Sequence, residues 1–144
     1  MSIDVKTVQT QEELNQAFSI RRIVFIHEQK VPEDLELDEW DQSAIHFLAL
    51  ENGEPIGTCR LRWIGDHTAK AERVAVLADK RNTGAGKKLM LALEESARQK
   101  EARAIRLNAQ VQVVPFYEKL GYRTNGAPFY EAGIKHIPMI KELT

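Results

Sequence analysis

Cysteine is almost absent: Cys59 stands alone among 144 residues, which excludes an internal disulfide and the Cys pairs or quartets of zinc ribbons. A reducing, cytosolic compartment is expected for such a chain. An excess of charge is missing too. The chain sets 20 Lys and Arg against 21 Asp and Glu, a formal net charge of -1, so no global basic field draws it to nucleic acid. No apolar stretch approaches the ~20 residues of a membrane span, and the start, MSIDVKTVQTQEE, lacks the basic patch and apolar core of a leader. Neither secretion nor membrane insertion is expected. The four histidines, His27, His46, His67 and His136, show no close ligand spacing, so no metal site is expected. There is no internal repeat, low-complexity tract or linker.

What remains is the composition of an ordinary globular domain, 43% hydrophobic and 28% charged. The length predicts one domain over residues 1–144. Area scaling gives a folded surface of roughly 7,500 Å² against about 24,000 Å² unfolded, enough burial for a real core.

Residues 2–9 alternate at Ile3, Val5 and Val8 and predict a short strand. Thr10 to Glu13 has capping-box spacing and predicts a helix start, the helix running to about Gln29. Its apolar stripe takes Leu14, Ala17, Phe18, Val24 and Phe25, and helical spacing sets Arg21 and Glu28 on the same inward side. Then EDLELDEWD, residues 33–41, carries six acids and no cation, and reads as a loop or a short turn of helix. Runs at 44–51, 55–64 and 69–76, separated by turns at Asn52-Gly53 and Gly65-Asp66, predict an antiparallel meander. A long helix over 84–102 buries Leu89, Met90, Leu93 and Ala97. A strand at 104–111, a short helix at 114–121 and a strand at 136–143 complete the chain. Pro138 predicts that this last strand lies at an edge or bulge. The order makes a mixed α/β sheet.

The informative stretch is Lys80-Arg81-Asn82-Thr83-Gly84-Ala85-Gly86-Lys87-Lys88, four cations in nine residues at a helix start. Cations there oppose the helix dipole by roughly 0.3 to 1 kcal/mol each, which points to a bound anion. Gly84 and Gly86 remove Cβ where backbone N–H groups without intrahelical partners would meet it. A phosphate or pyrophosphate is the natural ligand. A P-loop is excluded, since Arg81 stands where it needs Gly and Lys88 where it needs Ser or Thr. A dinucleotide fingerprint is excluded by Leu89 in place of its third Gly. Spacing alone also fits a tight strand-to-helix turn with solvated lysines.

Here the chain resembles the GNAT superfamily of acetyl-CoA-dependent N-acetyltransferases. Its signature is Gln or Arg, two residues, Gly, one residue, then Gly or Ala, and Arg81 to Gly86 matches it in full. A second block, Phe116-Tyr117-Glu118-Lys119-Leu120-Gly121-Tyr122, is similar to the superfamily's aromatic helix. More narrowly, Arg21, Val24, Phe25, Glu28 and Gln29, then Glu36, Leu37, Asp38 and Asp41, His46, Ala109-Gln110, and Glu131, Gly133, Ile134, His136 and Ile137 resemble the ElaA-like subgroup. The resemblance spans essentially the whole chain and implies a single-domain GNAT-like α/β fold, a mixed, mostly antiparallel sheet flanked by helices. It implies that backbone groups at Val74 and Val76 meet the pantetheine arm and thioester. Asn82, Thr83, Gly84, Ala85, Gly86 and Lys87 would cradle the pyrophosphate, with Arg81, Lys87 and Lys88 adding charge. Gln110 stands where family members often carry a cofactor-contacting Asn. Family members often pair through sheet or C-terminal elements, so a homodimer is an expectation.

Transfer from a thioester to an amine needs a neutral amine, a polarised carbonyl and a proton for the departing thiolate. A lysine-like amine, pKa about 10.4, is neutral in only roughly one molecule in 2,500 at pH 7, so a base or water chain is called for. Glu72 is the candidate base, because alternation places it on the strand face of Val74 and Val76; an exposed carboxylate paired with a neighbour is the alternative. Tyr117 is the general acid that the resemblance implies, against a purely apolar role beside Phe116 and Leu120. Arg21, Glu28 and His46 are candidates for the acceptor pocket, the alternative being a buried Arg21–Glu28 pair and a core histidine. The acidic run at 33–41 either steers a cationic amine or is a solvated loop. The expected activity is acetyl transfer from acetyl-CoA to a primary amine of a small molecule; aminoglycosides, polyamines, amino sugars and peptide N-termini all fit. The rival is an inert acyl-CoA-binding or regulatory module.

Overall fold

Thr10 caps the first helix as its spacing predicts: its hydroxyl accepts from the Glu13 N–H at 3.1 Å, and the Glu13 carboxylate accepts from the Thr10 N–H at 3.3 Å. The computed structural model describes residues 2–143. Strand β1 (Ile3–Thr7) leads into α1 (Gln11–Arg21), which continues as a π-helical segment over Arg22–Glu28. The acidic stretch forms α2 (Glu33–Glu36) and a 3-10 turn, Glu39–Gln42. The meander is β2 (Ile45–Glu51), β3 (Glu54–Gly65) and β4 (Thr68–Val76). Then come α3 (Ala85–Gln99), β5 (Ala104–Gln110) and α4 (Val114–Lys119), followed by β6 (Arg123–Thr124), β7 (Phe129–Glu131) and β8 (Ile134–Glu142).

The eight strands of the described residues form one sheet in the order β1-β2-β3-β4-β5-β8-β6, with β7 also paired to β8. Only β4 and β5 run parallel; the other pairings are antiparallel. This is the mixed, mostly antiparallel sheet flanked by helices. On one face α3 packs Leu89, Met90, Leu93 and Ala97, all fully buried, against Phe47, Leu61 and Ile105. On the other, α1 and its extension pack Ala17, Ile20 and Val24 against Leu48 and Ala75. The total surface is 8013 Å², close to the size-based expectation. No helix of the described residues is long and apolar enough to cross a membrane.

The last strand is not the edge that Pro138 predicted, because β8 lies between β5 and the short strands β6 and β7. Pro138 pairs with Asn108 of β5, and its carbonyl accepts from the Asn125 N–H at 2.7 Å on the far side. In an antiparallel strand a residue's N–H and C=O share a side, so the donor that proline lacks falls in the gap between β6 and β7.

Candidate functional site

The parallel pairing of β4 with β5 ends at Lys70 and Arg106, and beyond it the strands separate. The gap is a cleft of about 1130 Å³, lined on its two sides by Ala71 to Val76 and by Leu107, Asn108 and Gln110. A bulge in β4 falls within the separated stretch. Thr58 pairs with Ala75 and Arg60 with Glu72, so Arg73 and Val74 together oppose Cys59, and Arg73 takes a positive φ of 55°. The extra residue also resets the alternation. Ala69, Ala71, Val74 and Val76 contribute to the core beneath α3, whereas Ala75 packs on the α1 side. Glu72 therefore lies on the opposite face from Val74 and Val76, which corrects the expectation that alternation sets them together.

At one end of the cleft stands the start of α3. Gly84 is its N-cap in left-handed conformation, φ +91°, with open space where a Cβ would go. Glycine is required there by the backbone angle. At Gly86 the requirement is steric, since a Cβ would come within 3.2 Å of Phe116 Cζ. Lys88 N–H makes the first bond of the helix, to the Gly84 carbonyl at 3.0 Å, and the N–H groups of residues 82–87 find no acceptor among the described residues. The four cations divide. Lys80 pairs with Glu51 at 2.7 Å, and Lys88 donates to the Ile3 carbonyl at 2.9 Å, away from the cleft, so it does not add charge to the cradle. Arg81 makes a two-pronged contact to Glu28 at 2.7 and 2.8 Å and donates to the Val76 carbonyl at 3.0 Å. Lys87 lines the cleft and has no partner among the described residues.

The opposite wall comes from β5, α4 and β8. Tyr117 is buried between Phe116 and Tyr122, ring centroids 5.0 and 5.9 Å away, both edge-on. Burial pushes its phenol well above the ordinary value, so it stays protonated, and the hydroxyl bonds to none of the described residues. Gln110 donates to the Gln29 side chain at 2.9 Å and accepts from Gln112 at 2.7 Å, bridging the end of β5 to the end of the first helix. His136, opposite Gln110 in the pairing of β5 with β8, also lines the cleft.

Two candidates for the acceptor pocket lie elsewhere. Arg21 is 1% exposed and spends its guanidinium on Glu36 (2.8 Å to the carboxylate, 2.9 Å to the carbonyl) and Asp41 (2.6 and 3.1 Å). It is not beside Glu28, which faces Arg81. His46 is 5% exposed, and because a carbonyl only accepts, its contact to the Asp41 carbonyl at 2.9 Å fixes Nε2 as the protonated nitrogen. Burial pulls its pKa down, and Nδ1 is left without a partner. Both residues lie off the cleft.

They belong to a cluster in which Arg21, Arg60, Arg62, Lys70 and Arg73 meet Glu36, Asp38, Asp41 and Glu72. The acidic run is thus neither a steering field nor a solvated loop at Glu36, Asp38 and Asp41, which clamp arginines of α1, β3 and β4. Glu72 accepts from Arg60 and Arg62, both at 2.7 Å. Burial opposes its charge, but Arg62, Arg60 and Lys70 outweigh that and hold its carboxyl down at about 2. A carboxylate so stabilised is a poor proton acceptor. Sequence reasoning passed over Arg60, whose one signal was a charge inside an apolar strand.

The chain can be set beside known proteins on this geometry. The family model for the acetyltransferase (GNAT) domain matches residues 7–143. The Bacillus subtilis protein YjcF, named an uncharacterized N-acetyltransferase, is 41% identical over 133 residues, covering 92% of this chain and 94% of that protein. A crystal structure of a Lactobacillus plantarum protein superimposes with a TM-score of 0.91 at 27% identity, covering 100% of both chains. Escherichia coli ElaA gives 0.86 at 23% identity, over 98% of this chain and 100% of that one. The chain belongs to the GNAT acetyltransferase family, whose members transfer acyl groups from acyl-CoA.

Proposed function

We propose that the chain transfers the acetyl group of acetyl-CoA to a primary amine of a small molecule by direct attack of the amine on the thioester. One observation carries the reading: the cleft between β4 and β5 runs into a helix start whose N–H groups at 82–87, like the ammonium of Lys87 beside them, have no partner among the described residues. A pyrophosphate supplies what those donors lack. A pantetheine arm lying along Val74 and Val76 supplies the partner that the open side of β4 lacks, as an added strand does at a sheet edge. Arg81 joins the phosphates by exchanging Glu28 for them, so Glu28 serves as its resting partner and not as an acceptor contact. Gln110 offers its amide to the arm.

The chemistry follows from the wall opposite. Tyr117, neutral and buried, donates its proton to the sulfur as the C–S bond breaks. Glu72 stays a carboxylate and orients Arg60 and Arg62.

Calorimetric titration with acetyl-CoA, CoA and ATP tests the cradle, and thiol release against a panel of aminoglycosides, polyamines, amino sugars and peptides tests transfer. Binding of both CoA species with thiol release on one amine class is the expected result. Tight CoA binding without release on any amine of the panel would count against transfer to these amine classes and favour the inert module. No CoA binding would overturn the reading of residues 81–87.

A further inference from the structure

We propose that His136 is the base that removes the proton from the attacking amine, an inference that rests on the acyltransferase reading above. The reaction needs such a group, because the nitrogen becomes positively charged as it attacks and must lose a proton for the amide to form. The carboxylates of the cleft are poorly suited. Glu72 is held by three cations, Glu36 by Arg21 and Arg73, Asp38 by Arg60 and Arg73, Glu28 is committed to Arg81, and Glu131 lies exposed at the tip of the β7–β8 hairpin.

His136 meets the demands of position, tautomer and orientation. It lines the cleft beside Gln110, at the end of β5 that leads into α4 and Tyr117. Its Nδ1 lies 2.7 Å from the Ile134 carbonyl, and since a carbonyl oxygen only accepts, Nδ1 carries the hydrogen. The neutral ring therefore has its lone pair on Nε2. Nδ1 is tied back to the histidine's own strand, so Nε2 is the corner that projects away from the backbone, and it has no partner among the described residues. The ring is stacked on Phe129, 5.8 Å between centroids at 21°, which fixes its plane. A half-buried imidazole with an assigned tautomer, a clamped ring and an unengaged acceptor is poised to receive a proton.

The step balances as follows. The lone pair of a neutral amine forms the C–N bond while the carbonyl π pair moves to oxygen. Nε2 of His136 takes one N–H proton and becomes imidazolium. The carbonyl re-forms, the C–S bond breaks with its pair on sulfur, and Tyr117 protonates the sulfur. Water carries the imidazolium proton back to the Tyr117 phenolate, so amine and thioester become amide and thiol.

Three measurements test this. In a long-range 1H–15N correlation spectrum of the unliganded protein, neutral His136 should show a protonated Nδ1 and a bare Nε2; the reverse tautomer would overturn the proposal. His136→Asn places an amide nitrogen near Nδ1, able to donate to the Ile134 carbonyl, and removes only the far corner. It should bind CoA within about twofold of the parent and unfold at the same temperature, yet release thiol about 100-fold more slowly with the panel's active amine. In His136→Ala, added imidazole should restore about tenfold of the lost rate. Undiminished turnover in His136→Asn overturns the base role and leaves the acyltransferase reading intact. Parent protein that transfers to no amine removes both.

Discussion

Asp41→Asn probes the buried charge cluster with the least change in shape. The Asp41 carboxylate accepts from Arg21 at 2.6 and 3.1 Å, from Arg60 at 2.9 Å and from the Asp38 N–H at 3.1 Å. An amide in its place keeps one acceptor and turns the other corner into a donor that faces a guanidinium donor. The cluster, already one cation in excess, becomes two in excess at a site where Arg21 and Arg60 are each 1% exposed. Breaking a buried pair in this way costs about 3 to 5 kcal/mol. In a domain of 144 residues that lowers the unfolding temperature by on the order of 10 °C. Acid supplies a second check. Burial raises the Asp41 pKa, but Arg21 and Arg60 more than reverse this and bring it from the ordinary 3.8 to about 2. A carboxyl depressed on folding stabilises above its unfolded pKa and loses that contribution as pH falls through its folded one. Roughly 2 kcal/mol of the parent's advantage should therefore disappear between pH 3.8 and about 2, narrowing its lead over the variant. Scanning calorimetry from pH 7 downward reads both effects. An unfolding temperature within about 2 °C of the parent at pH 7, or a gap that stays constant through the acid range, would refute the reasoning.

The cradle makes sharper distinctions between neighbours. Lys87→Ala should weaken CoA binding by about tenfold and flatten its salt dependence, whereas Lys88→Ala should leave CoA affinity unchanged, both read by calorimetry at two ionic strengths. Gly84→Ala should lower stability by about 1 kcal/mol through its backbone angle alone, measured by denaturant unfolding. Gly86→Ala should instead displace Phe116 and weaken CoA binding at nearly unchanged stability. Tyr117→Phe should reduce kcat about 100-fold while the CoA dissociation constant holds, a split that thiol-release kinetics and calorimetry together reveal.

Elements written in local spacing were legible before any coordinates. The Thr10–Glu13 box, the meander with its turn at Asn52-Gly53, and the Leu89, Met90, Leu93, Ala97 stripe all occur where local spacing sets them, while the second turn falls at Asp66-His67, one residue beyond the expected Gly65-Asp66. Strands β6 and β7, two and three residues long, are too short to show any period. The bulge at Arg73 was invisible for another reason: alternation assumes one residue per position, and only the partner strand reveals the extra one. Long-range charge pairing is the largest gap. Arg21 and Glu28 do share a helix, but their partners, Asp41 and Arg81, are 20 and 53 residues away, and local spacing does not reach them.

The sheet holds together across its middle by only three parallel rungs, Thr68 with Ala104, Ala69 with Ile105 and Lys70 with Arg106. On either side of that seam lies a plate of four strands. The helix start at Gly84 belongs to one plate and Tyr117 and His136 to the other, so the two halves of the working site are like jaws sharing a short hinge. Their alignment is set at one end by those rungs and beyond them by Phe116 against Gly86, by Gln110 with Gln29, and by Glu94 of α3 with Tyr122 and Lys141. Because α3 also buries its apolar face against β5 and β8 of the second plate, any change of that angle must repack this shared core, so the opening of the jaws is governed by residues beneath the cleft as well as by those that line it.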